Sequence, residues 1–164
     1  MLFLNTKFLA LAALATTALS APTTPLSARA DYSPVTDDDY CGEAAVLHYA
    51  YGNSAPLASD CTALYQKNPG PGRWAISSAE TQSRKASADG WTRLASSGTC
   101  AFEVRLAQPD VVDYQFGTND LRFYIRGYAG AGQAQDGRVA ASSTVLCGRD
   151  QGGQAAVEWR VAHA

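Results

Sequence analysis

The chain has 164 residues, with 13 basic and 15 acidic side chains, a net charge of −2 and 46% hydrophobic residues. That length and apolar share suit one domain with one core. The mild negative balance excludes nucleic acid or an anionic membrane as an electrostatic partner, because those need a basic footprint.

Residues 1–20 have the three parts of a signal peptide. Lys7 supplies the positive charge, Phe8 to Leu14 form the apolar run, and Ala18-Leu19-Ser20 is a small-x-small cleavage site before Ala21-Pro22. The apolar run is too short to span a membrane, and no second stretch of spanning length follows, so a secreted protein without a transmembrane segment is expected. From Ala21 the mature chain has about 144 residues and, without Lys7, 12 basic residues against 15 acidic ones. Asn5, Asn53, Asn68 and Asn119 all lack the hydroxyl that an N-glycosylation sequon needs.

Residues 21–40 are Pro/Thr/Ser-rich and then acidic, ending in Asp37-Asp38-Asp39-Tyr40. They read as a disordered or removed tail, with too little apolar surface to offset ordering entropy, and the acidic triplet reads as a solvated run. One folded domain is expected over 41–164. Ala44 to Tyr51 suggests a strand. Ser54-Ala55-Pro56 opens a helix, with Leu57, Cys61, Leu64 and Tyr65 at helical spacing, and Asn68-Pro69-Gly70 ends it. Cys61 then faces the core.

Beyond this point the period switches to two. Trp74 and Ile76, and Trp91 and Arg93, lie in short strand-like runs separated by the polar stretch Ser77 to Gly90. Cys100, Phe102, Val104 and Leu106 alternate with Ala101, Glu103, Arg105 and Ala107, the clearest half-buried strand. A second helix begins at Thr118 or Asn119, with Leu121, Tyr124, Ile125 and Tyr128 as its stripe. Val139 to Cys147, and Val157, Trp159 and Val161, make two closing strands. The fold class is α+β, an antiparallel sheet with two helices packed on one face.

Cys41, Cys61, Cys100 and Cys147 all follow the export signal, and an even count in an exported chain implies two structural disulfides. Four cysteines allow three connectivities, and the sequence does not choose among them. We carry forward Cys61 with Cys100 and Cys41 with Cys147, which would bolt the first helix to the sheet.

A catalytic set is hard to assemble. His48 and His163, the two histidines, read as a packing residue and a terminal one. A small ribonuclease could be drawn from them with Glu103 and Arg105, which share a strand face. Cys41-Gly42-Glu43 with His48 could be drawn as a metal site, but exported cysteines pair instead. Asp110 and Asp113 could serve a glycosidase, though their separation is not given by sequence. Trp74, Trp91, Trp159 and the tyrosines could form a glycan-binding surface, although tryptophans at strand spacing are more often core. No cofactor and no metal are expected, and the domain should be a monomer.

Several of these residues also carry a resemblance. The octet Ser54-Ala55-Pro56-Leu57-Ala58-Ser59-Asp60-Cys61, the run Gly98-Thr99-Cys100-Ala101-Phe102 and the run Phe116-Gly117-Thr118-Asn119-Asp120-Leu121 come first. With Tyr40-Cys41-Gly42 ahead, and Gly137-Arg138-Val139 and Cys147 behind, the chain resembles the secreted fungal effectors called necrosis-inducing factors, homologues of the second extracellular protein effector. The resemblance covers Cys41 to Cys147 and leaves Gly148 to Ala164, with its Trp159 strand, outside the pattern. It implies a protein that acts outside the producing cell on a plant host or a competitor microbe, and a fold like a small killer-toxin α/β sandwich. It carries no catalytic residues, and beyond the four cysteines no site residue follows from it. A non-enzymatic secreted effector is therefore the expected function, with a ribonuclease or a cell-wall glycan binder as alternatives.

Overall fold

The computed structural model describes residues 30–36, 39–67, 70–85, 89–108 and 110–164. The signal peptide expected over 1–20, and residues 21–29 of the tail, lie outside them. The elements in chain order are β1 (Asp31–Pro34), β2 (His48–Ala50), α1 (Ala58–Lys67), β3 (Gly72–Ile76), α2 (Ser78–Lys85), β4 (Thr92–Ser97), β5 (Cys100–Leu106), β6 (Tyr114–Gly117), α3 (Thr118–Tyr128), β7 (Ala140–Gly148) and β8 (Gln154–His163).

The fold is α+β with two antiparallel sheets instead of the single sheet expected. A small sheet has the order β1-β3-β6, and a large one the order β2-β7-β8-β5-β4. The strand expected around Cys100 to Leu106 is present and lies inside the large sheet, between β8 and β4. Cys100, Phe102 and Val104 turn to the core with no solvent exposure. From β8, Val157, Trp159 and Val161 join them.

On this inner face lies an aromatic stack. The Trp159 ring is 4.9 Å from Tyr124 of α3 and 5.9 Å from Phe102, nearly parallel to both. Phe116 of β6 closes on Phe102 at 5.4 Å, which joins the small sheet to the large one. The expected helix stripe is the buried one: Leu121, Tyr124 and Ile125 are all within the core. In α1 the inward residues are Ala58, Cys61 and Leu64.

Three features depart from the sequence reading. First, part of the stretch read as a disordered tail is strand: β1 pairs with β3, Tyr32 opposite Trp74. The reason is local, since Tyr32 packs on the Trp74 ring at 5.4 Å and its hydroxyl donates to the Gly70 carbonyl. Averaging over twenty residues hid that one anchor. Second, the described residues form three α-helices, the one not expected being α2 within the polar stretch after Ile76. Ser77 and Glu80 form a reciprocal cap: the Glu80 N–H donates to Ser77 Oγ, and the Ser77 N–H donates to Glu80 Oε2 at 2.8 Å. Third, Tyr114 to Gly117, for which no element was expected, is the buried strand β6. The helix after it ends at Tyr128, with Ala129 as its C-cap ahead of Gly130.

Candidate functional site

The four cysteines form two disulfides, Cys61 with Cys100 and Cys41 with Cys147. The first ties α1 to the start of β5; the second ties the segment ahead of β2 to the end of β7. Each has an aspartate beside it. Next to Cys61, the Asp60 carboxylate accepts the Thr99 N–H at 2.8 Å and the Thr99 hydroxyl at 2.7 Å. Thr99 Oγ1 in turn accepts the Leu57 N–H, so one hydroxyl links the loop to the start of α1. Near Cys41, the buried Asp120 carboxylate accepts the N–H groups of Tyr40, Cys41 and Gly117. It caps α3 and pins the segment ahead of β2 with the same two oxygens.

These contacts give the aspartates opposite electrostatics. The Thr99 backbone and side-chain hydrogen bonds hold Asp60 below the usual carboxylate range. Burial pushes Asp120 up to about 7; its three N–H donors pull the other way, and the adjoining Asp39 carboxyl adds to the rise. The Asp-Cys, Gly-Thr-Cys and Gly-Thr-Asn-Asp runs are thus structural clasps.

Polar side chains converge elsewhere, on the outer face of the large sheet, opposite the aromatic stack. A single cross-strand row runs His48, Ser142, Arg160, Glu103, Arg93, one residue from each of the five strands. Glu103 is almost fully buried although it is on the outer face. Its Oε1 accepts Nε and Nη2 of Arg93, both at 3.0 Å, and its Oε2 accepts Arg160 Nε at 2.7 Å. In the next row Arg105 pairs with Glu158 at 2.5 Å. Trp91, just ahead of β4, has the Arg160 and Arg105 guanidinium carbons 4.2 and 4.4 Å from its ring centroid.

Beside this network lies a trough of about 640 Å³, whose wall takes Trp91, Arg105, Glu158 and Arg160 from it but not Arg93 or Glu103. Trp91 and Arg105 stand at one end, Val46 and His48 at the other, with Ser142 and Arg160 between them. The volume is that of a small-ligand site. It is shallow because the residues alternating with the charged ones are small, Ala140 and Ala162 among them.

The sequence-derived candidates divide between this trough and other places. His48, Glu103 and Arg105 do share the outer face. His163 does not: it pairs opposite Cys100, with inward parity, and its Nδ1 lies 3.3 Å from the adjoining Ala164 carbonyl oxygen. Strand β7 also separates β2 from β8, so the two histidines are not on neighbouring strands. Of the tryptophans, Trp74 and Trp159 are core, and only Trp91 reaches the surface. Asp113 is engaged by Arg149 and by the Asp150 N–H. Cys41, drawn above as a metal ligand, is disulfide-bonded. Arg160 was not drawn into any candidate site, although its alternation with Trp159 and Val161 already put it on the outer face.

A family model described as pathogen effector, putative necrosis-inducing factor, matches residues 40–147. No curated protein matches the chain. The matched stretch includes both disulfides and both aspartate clasps. It excludes β8, which supplies Glu158 and Arg160 to the trough.

Proposed function

The chain belongs to the pathogen-effector family of necrosis-inducing factors, and from that membership we propose that it is a secreted effector that binds a host or competitor-microbe target outside the producing cell. The two disulfides support an oxidising destination, where such bonds form and persist. Among the described residues, no helix is long and apolar enough to cross a membrane.

The outer-face trough is the proposed contact surface, and the state of Glu103 is the observation that favours binding over catalysis. A general base must be available to take a proton. Both oxygens of Glu103 are instead held by guanidinium groups. Arg105 is likewise paired with Glu158. The trough is therefore a set of fixed, oriented charges, as recognition requires.

The test is infiltration of the purified mature protein into leaf tissue, alongside growth inhibition of other fungi. The wild type should provoke a response in one of these assays, and a Ser142→Trp variant that fills the trough should not. A response equal in the two proteins would remove the trough from the mechanism. RNA degradation that is lost in His48→Ala would replace the binding reading with an enzymatic one.

A further inference from the structure

The charges of the trough indicate what it would hold. Arg105 and Arg160 line it with Glu158, a surplus of one positive charge on a chain whose net charge is −2, and Glu103 holds Arg160 from beside the trough. Each guanidinium has five N–H donors in a planar fork. Arg160 uses Nε and Nη2 on Glu103, and Arg105 uses Nε on Glu158 and Nη1 on the Asp89 carbonyl. Both retain donors, and the carboxylates and the Trp91 ring hold both in place. Such fixed forks match a carboxylate better than a lysine would.

The rest of the trough narrows the ligand. The lining runs from His48 of β2 across β7 and β8 to Arg105 of β5, three inter-strand steps, or roughly 14 Å. That is a track for a linear oligomer. Its floor carries the hydroxyl residues Ser142 and Thr144, with Ala140 and Ala162 leaving room for saturated rings. Trp91 offers an apolar wall beside the guanidinium pair. A polyphosphate chain would meet Glu158 in the lining, Glu103 beside Arg160 and a net-negative protein around both, which disfavours RNA.

We propose that the trough binds a linear acidic oligosaccharide, a uronic-acid residue placing its carboxylate on the Arg105 and Arg160 guanidinium groups beside Trp91. Its hydroxyls engage Ser142 and Thr144. The inference rests on reading the trough as a binding surface, and it adds the chemical class of the ligand.

Calorimetric titration of the mature protein with a short oligogalacturonide, a cello-oligosaccharide of equal length and a single-stranded oligonucleotide tests it. The oligogalacturonide should bind, and added salt should weaken it. Arg160→Gln and Arg105→Gln should each lower its affinity about tenfold, the loss of one charge-assisted hydrogen bond. Ser142→Trp, which leaves the ion pairs intact, should abolish it, with near-ultraviolet circular dichroism verifying the fold. Equal binding of the neutral oligosaccharide, displacement by the oligonucleotide, or no binding at all overturns the ligand class. Absence of sugar binding with a leaf or growth response that still depends on Ser142 overturns this inference alone. A response insensitive to Ser142→Trp removes the binding surface itself.

Discussion

Asp60 and Asp120 are each one residue in a short motif, yet they set opposite pH responses. Asp120 is buried, and its proton is held up to about 7 against an ordinary value of 3.8. The native state keeps a proton that the unfolded chain releases, so this contribution is full below about pH 4 and is lost as pH rises through about 7. Asp60 is held low by Thr99, so its contribution is present above the ordinary carboxylate range and is lost as pH falls. Stability should therefore peak in mildly acid solution and decline toward pH 8. Thermal melts across pH 3 to 8 measure this, and Asp39→Asn should flatten the decline by removing a carboxyl that raises Asp120. A midpoint still climbing above pH 7 would contradict the assignment. Gly98 is the neighbouring test of the Asp60 clasp. It has φ of +54°, and a Cβ there would lie 2.5 Å from the Asp60 carboxylate. Gly98→Ala should cost about 2 kcal/mol in denaturant unfolding, from backbone strain plus the displaced carboxylate.

At the scale of elements, legibility followed how much of the signal was local. The strand at Cys100 and the helix at Leu121 were readable because their periodicity is long and unbroken. Helix α2 was not read, although Ser77-Ser78-Ala79-Glu80 carries the capping-box spacing, because its face has almost no apolar stripe. Its existence rests heavily on that cap, and Ser77→Ala should unravel it at a cost of about 1 kcal/mol. The disulfides are the other element-scale restraint. In the chain-entropy model, closing the 39-residue separation of Cys61 and Cys100 is worth roughly 4 kcal/mol, and the 106-residue separation of Cys41 and Cys147 roughly 5 kcal/mol. Paired Cys→Ala variants should follow that order in their denaturation midpoints. The trough was legible only in part, since Glu103 and Arg105 were seen on one face. Arg93 meets Glu103 across the β4–β5 hairpin, but Arg160 comes from 57 residues away, and only strand order brings it into the same row.

For the whole molecule, the decisive placement is that of β8. It lies outside the stretch the family model matches, yet it is hydrogen-bonded on both sides, to β7 and to β5. It contributes Trp159 to the core and Arg160 to the trough. A chain ending at Gly148 should therefore remain unfolded, without the near-ultraviolet signal of packed aromatics, although it contains all four cysteines and the full matched stretch. A folded truncated chain would show that the sheet can close without its middle strand. Because β8 lies C-terminal to both of its neighbours, a ribosome makes the middle strand only after the two that need it. Cys41 and Cys147 can meet before that, but β5 and β7 have no common partner until the chain beyond them is available. The growing polypeptide is thereby kept open until its last strand has been made, and only then can the sheet close.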